Sequence, residues 1–141
     1  RAVAQALAGA GAASVVVAGR DADRTAAAAA LAGDVGSAVS LDDVAAELGS
    51  SDLVVNATPV GMHASPGVPF RVEAVAAPAV VVDLVYHPVE TELVRACRAA
   101  GLPVANGLGM LVHQAAAAFE LWTGESAPVD VMAAAALDQL A

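Results

Sequence analysis

Apolar positions in this chain fall into short consecutive runs, separated by longer stretches in which they recur at helical spacing. Three runs are apolar at nearly every position: Ser14–Ala18 (SVVVA), Leu53–Asn56 (LVVN) and Ala79–Leu84 (AVVVDL). Such runs predict strands buried on both faces. Val35–Val39 and Leu102–Ala105 predict two weaker strands. A first helix is predicted over Arg1–Gly9, with Val3 and Leu7 four apart and Gly9 and Gly11 ending it. Asp21 or Asp23 caps a second helix through Ala32, and Ser40 or Asp42 caps a short one to Leu48, closed by Gly49. Thr91–Ala100 places Leu93, Val94 and Cys97 on one helix face and stops at Gly101. Gly107–Trp122 predicts a long helix whose apolar side is Leu108, Leu111, Val112, Ala115, Phe119 and Trp122, and a last helix starts after Pro128. Residues 57–70 hold three prolines and two glycines and predict a loop.

Strand and helix alternate throughout, which predicts an α/β domain with a doubly wound parallel sheet covered by helices. Ligands of such sheets bind at the carboxyl ends of the strands. Four segments stand there: Gly19–Arg24, Asn56–Gly61, Leu84–His87 and Asn106–Gly109.

Composition narrows the possibilities. With 141 residues, 58% of them hydrophobic and 15% charged, the chain is one domain in size and no disordered tail. Its uncharged runs are broken by Gly, Ser or Pro and fall short of the roughly 18 apolar residues of a membrane span. No leader of the charged-then-apolar kind stands at its start, and the single Cys cannot form an internal disulfide, so a reducing, cytoplasmic setting is expected. A net charge of −9, with six Arg and no Lys, disfavours nucleic acid. The chain also has no Ile and opens at Arg1 within a predicted helix, which reads as a fragment of a longer, GC-rich-encoded protein.

Each strand-end segment offers chemistry with a plainer alternative. Arg20 and Arg24, four apart after SVVVA, suit the 2′-phosphate of NADP, since Arg is a bidentate phosphate donor. The same residues also fit a solvated strand-to-helix loop, and Asp21 and Asp23 add negative charge beside them. Asn56 and Thr58 can hydrogen-bond a ligand, with Gly61 allowing close approach, or can simply build a turn. Tyr86 offers a hydroxyl to a polyol or carbonyl substrate, or covers the sheet end. Gly107 and Gly109 lie at a helix N-terminus, and Gln114 follows Gly107 by two turns, facing a substrate or the backbone. His63, His87, His113 and Cys97 lack metal-ligand spacing, so no metal is expected. No nucleophile elbow or Walker loop occurs.

Taken together, AGRDADR, VVNATPVGM, VVVDLVYHPVETELVRACRAAG and NGLGMLVHQAAAAFELWTG resemble the C-terminal, cofactor-binding domain of shikimate dehydrogenase, in order and spacing. The resemblance implies a Rossmann-like, three-layer domain over residues 1–141, with C-terminal helices and without its first central strand or Gly-rich turn. It implies NADPH-dependent, reversible reduction of 3-dehydroshikimate to shikimate by the parent protein, a monomer or homodimer. Gly19, Arg20, Asp21 and Arg24 fall on the loop that holds the adenosine 2′-phosphate, where the family commonly has Asn-Arg-Thr in place of Gly19-Arg20-Asp21. Asn56 and Thr58 fall beside the cofactor, Leu84 lines the nicotinamide, Gly107 lies at its end, and Tyr86 and Gln114 contact shikimate. The family's catalytic Lys and Asp belong to an N-terminal domain, so no catalytic residue is expected here. Alternative readings are a quinate/shikimate dehydrogenase paralogue, a non-catalytic dinucleotide- or metabolite-binding module, and an inert gene fragment. The missing strand implies poor stability and weak NADP binding for the chain alone.

Overall fold

The computed structural model describes residues 1–140, which group into two compact units. The first is Arg1–Ser51 with Ala74–Ala76, and the second is Asp52–Glu73 with the described residues from Ala77 on.

The first unit runs α1 (Ala2–Gly9), β1 (Val15–Gly19), α2 (Ala22–Ala29), β2 (Gly36–Ser40) and α3 (Val44–Leu48). β1 and β2 pair in parallel from Val15–Gly36 to Gly19–Ser40. The crossover between them is α2 and a 3₁₀ segment, Ala30–Val35, so the predicted second helix is shorter than expected. Helical geometry breaks at Gly33, whose backbone is non-helical. A small core of Ala4, Val15 and Ala32 is flanked by Leu7, Ala8, Ala12, Val17 and Val35. The predicted cap of α3 is displaced: Asp43 takes the N-cap position. Its carboxylate accepts from the Ser40 hydroxyl at 2.7 Å and leaves the helix N–H groups uncapped.

The second unit runs β3 (Leu53–Asn56), a loop, a 3₁₀ turn at Val72–Ala74 that extends into the first unit's residues, β4 (Val80–Asp83), α4 (Glu92–Ala99), β5 (Val104–Ala105), α5 (Leu108–Thr123) and α6 (Val129–Leu140). Its parallel sheet has the order β3-β4-β5. Leu93, Val94 and Cys97 of α4 are buried, as their spacing predicts.

On α5 the buried residues are Leu108, Val112 and Ala116. Ala115 is exposed and Trp122 is 81% exposed, against the expected apolar side. Residues seven and fourteen after Leu108 lag by about 20° per heptad, which carries them off the buried stripe.

The chain is thus α/β with parallel strands throughout, and its strands divide into two sheets. β1 and β3, the strands expected to flank a missing central one, are each at an edge of their own sheet.

Candidate functional site

The first group of predicted residues lies where β1 passes into α2. Asp21 is the N-cap of α2, its Oδ1 accepting from the Arg24 backbone N–H at 2.9 Å. Its Oδ2 lies 3.7 Å from Arg24 Nε. The Asp21 carboxylate is therefore engaged by the helix and by Arg24, while Arg20 is exposed and makes no ion pair among the described residues. Gly19 has a packing reason. A Cβ there would sit 2.2 Å from Thr25 Oγ1, which donates to the Asp21 carbonyl at 2.6 Å. Thr25 fills the space that a side chain at position 19 would need.

The second group is built around the ends of β3 and β4. Asn56 is 2% exposed and its amide is saturated. Nδ2 donates to the Val60 carbonyl at 3.0 Å and to Asp83 Oδ1 at 2.9 Å. Oδ1 accepts from the Thr58 backbone N–H at 3.0 Å and the Thr58 hydroxyl at 2.7 Å. Thr58 Oγ1 also accepts from the Val60 N–H at 3.2 Å. This corrects the ligand-contact expectation for the Asn56 side chain, because no donor or acceptor is left for a ligand. Asn56 and Thr58 instead shape the loop that leads to Gly61, whose φ of +108° a side chain rarely adopts.

Leu84 and Gly107 come together. A Cβ on Gly107 would lie 2.2 Å from the Leu84 carbonyl oxygen, and the Gly107 N–H donates to the Val85 carbonyl at 3.1 Å. Asn106 secures the same junction, its Nδ2 donating to the Val89 carbonyl at 2.9 Å and its Oδ1 accepting from the Leu108 N–H at 3.2 Å. Tyr86 leaves this junction 39% exposed. Gln114 is exposed on α5, and among the described residues its side chain has no hydrogen-bond partner, so the backbone alternative does not hold.

Sequence reasoning missed Asp83. It is 0% exposed and ties β3, β4 and α4 together. Besides Asn56, it accepts from the Val85 N–H at 3.1 Å and from the Thr91 hydroxyl at 2.6 Å. The available signal was a charged residue inside an apolar strand run, followed eight residues later by a helix cap. Cys97 is buried, and burial pushes its thiol pKa up, with the Asp83 charge adding to the effect.

His63 and His87 stand with ring centroids 5.2 Å apart, yet the described residues hold no group of three or more potential metal ligands. A cleft of about 260 Å³ opens beside His63 and Arg95, and of the four predicted strand-end segments only Asn56–Gly61 reaches it through a named candidate, Gly61. No helix among the described residues is long and apolar enough to cross a membrane.

Residues 107–137 match the family model of the shikimate 5′-dehydrogenase C-terminal domain. Shikimate dehydrogenase (NADP(+)) of Methylobacterium radiotolerans is 46% identical over 124 residues, 88% of this chain and 44% of that protein. Quinate dehydrogenase from Corynebacterium glutamicum, solved in complex with NAD, superposes with a TM-score of 0.92 at 37% identity, covering 97% of this chain and 50% of that one. Shikimate 5-dehydrogenase from Thermus thermophilus, solved with NADP(H) and shikimate, gives 0.84 at 38% identity, covering 97% and 50%. The chain is thus similar over most of its length to shikimate dehydrogenases and spans about half the length of those it matches.

Proposed function

We propose that this chain is the cofactor-binding part of a cytoplasmic, NADP-dependent shikimate dehydrogenase, which interconverts 3-dehydroshikimate and shikimate. The observation that carries the reading is the Gly107 junction. It seats the start of α5 against the Leu84–Val85 backbone and brings three predicted site residues, Leu84, Tyr86 and Gly107, into one neighbourhood.

The residues present fit the cofactor. Arg20 offers an exposed guanidinium free of ion pairing among the described residues. Asp21 turns its carboxylate to the α2 N-terminus and Arg24, which lessens its repulsion of a phosphate. NADPH supplies hydride when bound. Arg20 and Arg24 would hold the 2′-phosphate and Leu84 would give the nicotinamide an apolar neighbour, while Gly107 seats the start of α5 on the Leu84 backbone. Tyr86 and Gln114, both exposed and without side-chain hydrogen bonds among the described residues, are free to bond the substrate's hydroxyls. Asn56 and Thr58 act by holding their loop. Proton transfer falls to residues outside this chain, which has no Lys. The working protein is a monomer or homodimer with a small-molecule substrate.

A second reading, a quinate/shikimate dehydrogenase using NAD, is favoured by the similarity to the NAD complex and by Asp21, an acid at a strand end. Titration calorimetry with NADP⁺ and NAD⁺ separates the two. Arg20→Ala is expected to weaken NADP⁺ binding about tenfold to a hundredfold, the worth of one charge-assisted phosphate contact. NAD⁺ binding should hold within about twofold, since it has no 2′-phosphate for Arg20 to lose. Equal losses for both cofactors would sink the NADP assignment.

A further inference from the structure

The buried carboxylate of Asp83 has no part in the reading above and no counter-cation among the described residues. A buried charge is costly unless fully hydrogen-bonded, and a sheet that needed only filling would carry an apolar residue here. Three donors meet it, each from a different part of the second unit. Asn56 Nδ2, at the end of β3, and the Val85 N–H, just past β4, share Oδ1 at 2.9 and 3.1 Å. The Thr91 hydroxyl, which caps α4 by accepting from the Val94 N–H, donates to Oδ2 at 2.6 Å.

The bond to Val85 spans two residues and ties the chain that leaves β4 through Leu84 back to the Asp83 carboxylate. The Leu84 N–H donates to the Asn56 carbonyl at 3.0 Å, and the Val85 carbonyl accepts from Gly107. One carboxylate therefore fixes both the exit of β4 and the surface on which α5 begins.

The geometry points to Asp83 as a positioning residue, whose Oδ1 sets the path of Leu84–Tyr86 and the seat of Gly107. This rests on the functional reading above, in which those three residues face cofactor and substrate. Displacement of a positioned group by about 1 Å can cost a hundredfold in rate.

The test compares Asp83→Ala, which removes every acceptor, with Asp83→Asn, which keeps Oδ1 for Asn56 and Val85. Kinetics are measured on the complete protein that carries this sequence. Asp83→Ala should lower kcat about a hundredfold and raise KM for shikimate, with a smaller rise in KM for NADP⁺ because Arg20 and Arg24 are untouched. Asp83→Asn should recover kcat to within about tenfold of the unsubstituted protein. Amide hydrogen exchange at Val85 and Gly107 should quicken at least about tenfold in Asp83→Ala, with the Ala100 amide at the far end of α4, which donates to Ala96, unchanged, and should stay slow in Asp83→Asn. If Asp83→Ala does not fold, Asp83→Leu, which fills the space without an acceptor, must show the same kinetic and exchange pattern. Unchanged Val85 exchange, or activity losses that simply track the folded fraction in both variants, overturns the proposal. Absence of turnover in the unsubstituted protein overturns the functional reading instead, and the exchange pattern then still decides whether Asp83 holds this backbone.

Discussion

At the residue scale, two glycines that open the same helix have opposite reasons to exist. Gly107 packs against the Leu84 carbonyl with no room for a methyl group, whereas a Cβ on Gly109 meets nothing within 4 Å. Gly107→Ala must push α5 away from Leu84 and Val85, an overpacking cost of about 1–3 kcal/mol. Gly109→Ala adds a better helix former inside α5 and should be neutral or stabilising by up to about 1 kcal/mol. Urea midpoints of the two variants check this; equal shifts would remove the close-packing argument. The pattern NGLG shows two glycines at a helix start but not which one touches backbone, because that depends on the end of β4, far back in the chain. Asn56 teaches the same lesson. The sequence marks it as a polar residue at a strand end, and only the position of Asp83, 27 residues away, shows that its amide is already satisfied.

At the element scale, α4 is the most legible helix because its cap, buried face and stop all lie within the short stretch Thr91–Gly101. The pattern locates α5 but misplaces the apolar side of its far end, since a seven-residue repeat drifts around a straight helix. The cap of α3 is hidden from the sequence because Ser40 and Asp43 bond each other. The buried face of α4 also carries a pH dependence. The Cys97 thiol has a raised pKa in the folded chain, first from burial and then from the Asp83 charge. The folded state therefore holds the proton more tightly than the unfolded state does. The resulting stabilisation is intact below the unfolded thiol pKa of about 8.5 and is lost as pH rises through the folded value. Denaturation from neutral to strongly alkaline pH should show the stability gap between the unsubstituted chain and Cys97→Ala shrinking as pH rises. A gap constant across that range would mean that the thiol stays out of the alkaline transition.

At the scale of the whole molecule, the parallel sense of the strands is legible, because consecutive apolar runs alternating with helices admit few other arrangements. The division into a two-stranded and a three-stranded sheet follows from the resemblance, which leaves β1 and β3 without a shared neighbour. Each is an edge whose outer N–H and C=O groups have no strand partner among the described residues, a template for aggregation as well as a loss of stability. The first unit's core is largely Ala and Val, so each buried side chain contributes little apolar area. Leu121, Trp122 and Val131 of the last two helices are more than half exposed, so α5 and α6 add less burial than their length suggests. The chain alone should therefore melt broadly rather than in one sharp transition, exchange the β1 and β3 amides faster than those of β4, and bind NADP⁺ more weakly than micromolar. Calorimetry, hydrogen exchange and titration with NADP⁺ measure these three outcomes directly. A single cooperative melt together with micromolar NADP⁺ binding would show that two short parallel sheets suffice to hold the cofactor-binding loops in place.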